Sequence, residues 1–277
     1  MKFSERWVRE WVNPRNDTES LVNQLTMAGL EVDSVQSVSG KLENVVLAEI
    51  ISIDSHPNAE NLKICLVSTG SEELQIVCGA PNAVPGIRVA LACIGAVLPS
   101  GEKIKETTLR GTKSLGMLCS EKELGLSEDH SGIAEFSLDA PVGVSIYEYL
   151  NLKDFIIDVD LTPNRGDCLS ILGIAREVGF INGINIKRPD FSLPEPKVQE
   201  EQEVELVCFS DCPKYIGQVL KGIDRNASTP IWMKEKLRRA GMRSVDPIVD
   251  VTNYVMLELG QPLHAYDFDK LEGKVSV

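Results

Sequence analysis

A multidomain α+β chain is predicted, in which a small β-barrel is inserted into a mixed α/β domain and an α/β unit follows. Three features predict it. Residues 1–39 and 151–190 each read as helix with short strand, and neither alone could bury a sufficient core. Between them, from about Val45, five short runs of strand character are separated by turn residues. Residues 189–202, PDFSLPEPKVQEEQ, are proline-rich and acidic, the composition of a linker. The resulting division is 1–39 with 151–190, then 40–150, a linker at 191–202, and a third unit over 203–277.

In chain order, Asn16-Asp17-Thr18 offers helix caps, and Leu21, Val22, Leu25 and Leu30 follow at helical spacing. Gly29 stands where that helix should end, and Glu31–Val35 alternates like a short strand. Val45–Ile53, Leu62–Ser68, Leu74–Val77, Arg88–Ala92 and Lys103–Leu109 are the five barrel strands. Gly70, Gly79, Pro81, Pro85-Gly86, Gly95 and Pro99-Ser100-Gly101 punctuate them. This size matches an oligonucleotide-binding (OB) barrel, although a small sandwich would read similarly. Phe155–Asp160 is then a strand, Thr162–Asp167 a loop and Leu169–Phe180 a helix. A further helix is expected over Ile231–Arg243, with Thr229 capping it. The sequence stops inside Gly273–Val277, an apparent strand start, so it is expected to end partway through the third unit.

Composition removes several functions. The 277 residues carry a formal charge of −13, which opposes coating of nucleic acid by the whole surface and leaves only local basic patches for RNA. MKFSERWVREW places charges where a signal peptide needs an apolar stretch, and no apolar run approaches a membrane span, so a cytoplasmic protein is expected. The 7 cysteines include no C-x-x-C pair, and Cys208 and Cys212 lack partners for a zinc site, so reduced core cysteines and no metal are expected. His56 and His130 fall in turns without ligand partners. Neither a Walker A loop nor a G-x-G-x-x-G fingerprint is present.

Two basic patches stand against the acidic background. In the barrel, Lys103, Lys105, Arg110 and Lys113 face Glu102 and Glu106, and Asn58, Lys63, Arg110 and Ser114 are candidates for RNA backbone contact. Between Val45 and Gly125 there is no Phe, Tyr or Trp, so bases cannot stack on aromatics there. Either a weak electrostatic RNA module or a structural barrel fits. In the helix at 231–243, Lys234, Lys236, Arg238, Arg239 and Arg243 outnumber Glu235. Lys236 and Arg239 are candidates for tRNA phosphate, against the alternative of a solvated helix face with Trp232 and Leu237 turned to the core.

Three stretches carry a family resemblance in consistent order. Val251–Asp267, VTNYVMLELGQPLHAYD, is close to the editing-domain signature of bacterial phenylalanyl-tRNA synthetase beta subunits. TPNRGDCLS (162–170), followed by Gly173–Glu177, resembles the second half of that subunit's N-terminal domain. HPNAENL (56–62), VCGAPN (77–82) and SLGMLCSEKELG (114–125) resemble its tRNA-binding barrel, a module shared with free-standing proteins. Two departures are Tyr266, where Phe is expected, and the run Arg243–Pro247.

The resemblance implies an N-terminal fragment of a class II aminoacyl-tRNA synthetase subunit, whose third unit is the start of an α/β editing domain. It implies an alpha-subunit partner, in a heterotetramer of two alpha and two beta chains, that joins phenylalanine to tRNA(Phe) with ATP and Mg2+. No cofactor is implied within residues 1–277. It further implies hydrolysis of mischarged tyrosyl-tRNA, for which His264, Asn253 and Thr252 have suitable chemistry: His264 to orient or deprotonate water or to bind the terminal adenosine ribose, the others to hold water or the ester carbonyl. Tyr266 and Arg243 are the matching candidates for substrate binding. By residue type alone, His264 reads more readily as a structural histidine and Asn253 as a turn cap, and it is the resemblance of the surrounding run that favours the editing pocket. The alternative function is a non-enzymatic tRNA-binding or assembly module built on the OB barrel.

Overall fold

The computed structural model describes residues 1–40, 42–189, 192, 194–224 and 227–277. The predicted linker thus falls partly on Phe191 and Leu193, which lie outside the described residues. In order, the elements are β1 (Lys2–Ser4), α1 (Glu5–Trp11), α2 (Thr18–Met27), β2 (Glu31–Ser37), β3 (Glu43–Ser55), β4 (Lys63–Ser68) and β5 (Glu73–Cys78). They continue with β6 (Arg88–Val97), β7 (Thr107–Leu109), β8 (Thr112–Ser114), β9 (Gly116–Leu118), β10 (Glu135–Phe136), α3 (Ile146–Tyr149) and β11 (Phe155–Asp160). A 3-10 turn at Pro163–Cys168, α4 (Ile171–Asn182), β12 (Val204–Glu205), α5 (Ile231–Arg239), α6 (Pro247–Leu259), a 3-10 turn at Phe268–Lys270 and β13 (Val275–Ser276) complete the chain. The class is mixed α/β. Two compact units form, one from Met1, Trp7–Glu31 and Asp160–Val277, the other from Lys2–Arg6 and Val32–Val159.

The second unit is built on two main sheets and the small β7-β8 ribbon. In the larger, the order is β10-β6-β3-β4-β5, with β9 also on β6. Val89, Ala90, Leu91 and Ala92 of β6 are all fully buried, as a strand flanked on both edges and both faces requires. β3 curls around the core, aided by a register shift between Ile50 and Ser52. Ile50, Cys65, Val67, Ile76, Leu91 and Leu118 fill that core. Gly116 lets β9 cross β6 closely: at φ 152, a Cβ there would lie 2.7 Å from the Ala92 carbonyl oxygen. The free edge of β5 is met by the next segment, with Leu115 N–H donating to the Gln75 carbonyl at 2.9 Å and Val77 N–H to Ser114 Oγ at 3.0 Å.

The smaller sheet has the order β1-β11-β2, antiparallel between β1 and β11. Asp154 organises it. Its carboxylate accepts from Ser4 Oγ, from Arg6 N–H at 2.9 Å in the open first turn of α1, and from Phe155 N–H at 2.8 Å.

In the first unit, Asp17 caps α2 by accepting from Ser20 N–H at 2.9 Å, and Leu21 and Leu25 are its buried stripe. Gln24 and Asn16 share amide hydrogen bonds with Asn182 of α4. Ser170 caps α4 on Gly173 N–H at 3.0 Å. Gly173 is obligatory there, since a Cβ would sit 1.9 Å from the Asp167 carbonyl oxygen. Asp246 caps α6 on Ile248 N–H with Pro247 in the first turn, and Gly260 at φ 74 ends it.

Four expectations change. The strand expected over Lys103–Leu109 is reduced to Thr107–Leu109 paired with β8, because the turn at Arg110-Gly111 reverses the chain and Lys103 makes only an isolated bridge to Val97. Thr229 does not cap α5; Pro230 stands at that position and the Thr229 hydroxyl donates to Asp250 instead. α6 is not among the elements predicted from sequence, because its run of Val, Ile, Thr and Tyr has strand propensity that packing overrides. Cys208 is exposed rather than in a core.

Candidate functional site

The site region begins on α6. Asp250 is fully buried and accepts from Thr229 Oγ1, Ser244 Oγ and Val245 N–H, so it fixes the first turn of α6 to the chain entering α5 and to the α5–α6 loop. Burial alone would raise its carboxyl, but those hydrogen bonds hold it below the usual carboxylate range. One turn on, Tyr254 stacks on Trp7 at 5.3 Å between centroids and meets Trp232 edge-on at 5.3 Å. Glu258 accepts from Trp7 Nε1 at 3.1 Å and Trp11 Nε1 at 3.3 Å. Burial pushes the Tyr254 hydroxyl up, and its hydrogen bond to the Glu258 carboxylate pushes it further. The last residue of the helix run, Gly260, approaches Ser170 so closely that a Cβ would be 3.3 Å from that side chain.

α6 therefore presents the remaining positions of the VTNY run. Thr252 and Asn253 are half-buried, and Thr252 Oγ1 donates back to the Val249 carbonyl at 2.8 Å. After Gly260 the chain is extended, and Gln261 to Asp267 are all exposed. His264 lies in this segment with its ring 6.4 Å from that of Tyr266, tilted by 35°. The Tyr266 hydroxyl lies close enough to Tyr215 to raise the hydroxyl of that residue. Among the described residues no hydrogen bond or ring contact joins Thr252 or Asn253 to His264. The structure thus brings His264 and Tyr266 together with Tyr215, a residue that sequence reasoning missed. Tyr215 lies some fifty positions upstream, where no periodic signal could connect it.

The basic helix α5 is partly neutralised. Glu235, itself buried, pairs with Arg238 at 2.8 Å and with buried Arg239 at 3.0 Å. Burial would raise the Glu235 carboxyl, but both guanidiniums hold it below its ordinary value. Lys236 pairs with Glu10 at 2.6 Å and lies over the rings of Trp7, Tyr254 and Trp232 at 5.0, 5.6 and 5.7 Å. Leu237 is core, whereas Trp232 is half exposed. Arg243 is exposed beyond the helix end.

In the second unit the RNA candidates divide. Asn58 is exposed and donates from Nδ2 to the Arg110 carbonyl at 3.1 Å, which joins two loops. Arg110 is exposed at the tip of the β7–β8 hairpin, at φ 50. Lys63 is half-buried with Nζ on the carbonyls of Pro81 and Ala83, at 3.2 and 2.8 Å. Ser114 is buried, donating to the Gly116 carbonyl at 2.9 Å while it accepts from Val77. His56 is a buried turn histidine: Nδ1 accepts from Asn58 N–H at 3.1 Å, which leaves Nε2–H to donate to the Leu109 carbonyl at 3.1 Å. Ser55 to Glu60 line a shallow open depression beside this network.

One cluster has metal-ligand types, Asp167, Cys168 and Glu177. Arg165 occupies it, with contacts of 3.1 Å to Asp167 and 2.9 Å to both Glu177 and Cys168. A guanidinium placed there does not fit a resident cation. No described helix is long and apolar enough to cross a membrane.

Two domain families match this chain: "Putative tRNA binding domain" over residues 45–145 and "B3/4 domain" over residues 211–277. Among solved structures, the MetRS related protein from Pyrococcus horikoshii is 21% identical, with a TM-score of 0.27, over 37% of this chain and 87% of that one. The phenylalanine–tRNA ligase beta subunit of Pectobacterium atrosepticum is 52% identical over the whole chain, and those of Pseudoalteromonas translucida and Coxiella burnetii are 53% identical. In each case the aligned part is 35% of the relative's length, so the chain spans about a third of the curated relatives it matches. With half its residues shared along its full extent and both domain matches in place, the chain is similar throughout to about a third of the length of the phenylalanine–tRNA ligase beta subunits.

Proposed function

We propose that this chain supplies tRNA binding and part of a hydrolytic editing site to a phenylalanine–tRNA ligase, in which an alpha subunit makes the aminoacyl ester with ATP and Mg2+. The assembly is read as two alpha and two beta chains. Residues 40–150 are assigned to an OB-type tRNA-binding domain inserted between 1–39 and 151–190, and residues 203–277, after a linker at 191–202, to the first part of the editing domain. The observation that carries the reading is the exposed segment after α6, which sets His264 beside the Tyr266–Tyr215 hydroxyl pair.

The chemistry explains why such a site is useful. Tyrosine exceeds phenylalanine by one hydroxyl, and an apolar synthetic pocket rejects that addition by only about 100-fold. A second pocket lined with hydroxyls and an imidazole can bind the extra group. His264 then orients or deprotonates the attacking water, while Asn253 and Thr252, on α6, are assigned to the ester carbonyl or the water. Tyr266 forms a wall of the pocket, and Arg243 is free to meet the tRNA end. The Arg165-filled acidic cluster does not fit Mg2+; ATP and Mg2+ are assigned to the alpha subunit on the family resemblance.

The test uses the full-length beta subunit with its alpha partner. His264→Ala should slow hydrolysis of tyrosyl-tRNA and raise its accumulation, with phenylalanine charging unchanged. Unaltered deacylation overturns the editing assignment. The second reading, an assembly or docking module, is favoured in the barrel by buried Ser114 and carbonyl-bound Lys63, and it predicts that tRNA affinity does not change when Arg110 is removed.

A further inference from the structure

β4 and β5 pair antiparallel with Cys65 opposite Ile76 and Lys63 opposite Cys78. Directly opposed residues share a face of a sheet, and so do residues two apart on one strand. Cys65 and Cys78 are therefore diagonal neighbours on one face, and both belong to the same buried core. The two thiols are close enough for each to shift the titration of the other. Ala80 N–H also points at Cys78 Sγ, at 3.4 Å. The Lys63 ammonium stands on the neighbouring carbonyls of Pro81 and Ala83.

This setting treats the two thiols differently. The Cys65 thiol lowers Cys78 against the upward push of burial, helped by the Ala80 N–H and the Lys63 charge, whereas the contact with Cys78 and burial raise Cys65 despite the same Lys63 charge. Cys78 is at the strand end and retains slight exposure; Cys65 has none. The contact biases the two thiols in opposite directions, Cys78 downward against its burial and Cys65 upward. Nothing in the tRNA-binding or editing reading uses either.

We propose that Cys65 and Cys78 are a peroxide-responsive dithiol, oxidised to an intramolecular disulfide that links β4 to β5. The Cys78 thiolate attacks one oxygen of hydrogen peroxide, breaking the O–O bond and giving a sulfenic acid; the leaving hydroxide takes a proton and departs as water. The Cys65 sulfur then attacks the Cys78 sulfur, losing its proton as the S–OH bond breaks, and a second water leaves. Two thiols and one peroxide thus give one disulfide and two waters. A diagonal pair sits at about 7–8 Å between backbones, just beyond the comfortable span of a disulfide, so the bond draws the strands together and is readily reduced by a dithiol.

Trypsin, cutting after Lys63 and Arg88, leaves both cysteines in one peptide. After peroxide treatment of the folded chain, unfolding and alkylation, that peptide should be two hydrogens lighter and carry no alkyl groups, and dithiothreitol should restore both. Cleavage after Glu72 or Glu73 should yield a linked peptide pair instead of two free ones. In Cys65→Ala, dimedone should label Cys78 as the trapped sulfenic acid. The proposal is overturned if both thiols remain alkylatable at a peroxide dose that oxidises exposed Cys208, or if they pair only between molecules. The wild-type mass measurement decides this even where the variant fails to fold.

Discussion

Trp7 of α1 and Tyr254 of α6 lie face to face, their centroids 5.3 Å apart and their planes 11° from parallel. Lys236 seats its ammonium against both rings and against Trp232, with Glu10 balancing the charge. Three helices meet at one cation. Removing the charge while keeping the stem, as in Lys236→Met, should cost about 1–2 kcal/mol. Lys236→Arg should keep most of that contribution, because a guanidinium also stacks on aromatic faces. Urea unfolding of both variants checks the difference.

Asp250 makes the same region sensitive to acid. Its carboxyl is lower in the fold than the ordinary value near 3.9, so the stabilisation is complete above that value. It is lost as pH falls through the lower, folded value. Asp250→Asn should flatten this part of the acid-unfolding curve and cost about 2–3 kcal/mol at neutral pH, since a charged acceptor of three hydrogen bonds becomes a neutral one. Thermal unfolding of the variant and the parent at neutral and acid pH measures both effects.

Ser114 and Arg110 should separate structure from RNA contact. Ser114→Ala leaves Val77 N–H without its acceptor inside the fold, and a loss of about 1–3 kcal/mol in stability is expected with no change in the salt dependence of tRNA binding. Arg110→Ala should leave stability nearly unchanged and reduce the slope of log affinity against log salt by roughly one unit. Binding titrations at several salt concentrations, run with the full synthetase, distinguish the two.

Gly173→Ala should be among the most damaging single-methyl additions. Its Cβ would fall 1.9 Å from the Asp167 carbonyl oxygen, which is backbone and cannot rotate aside. A loss of about 3 kcal/mol is expected, read from the urea midpoint.

Much of this fold is legible in local sequence. Phe155–Asp160 alternates and is a strand with those bounds, and Asp17, one of the three offered caps, caps the helix it precedes. What local pattern misses is decided at long range. Ser114 and Lys63 are polar types in a barrel with basic loops, yet backbone groups far along the chain claim both. Arg239 looks like a phosphate contact until Glu235, one turn away, is seen buried with it. α6 is the largest omission, because the β-branched residues of its first half read as strand although its caps and its Met-Leu-Glu-Leu end favour a helix. At the candidate site, the VTNY–HAYD run marks where to look, but the pairing of Tyr266 with Tyr215 required the folded chain.

β6 hydrogen-bonds to β3, β9 and β10, so every large-sheet strand except β4 and β5 meets it directly. A strand shared this widely cannot be freed by fraying from one end. Opening the 88–97 ribbon means dismantling three ladders in a single event, so its amide protons should be the last of the unit to exchange, at the rate of global unfolding. A protease would accordingly find this region either intact or wholly undone, with few trimmed species between.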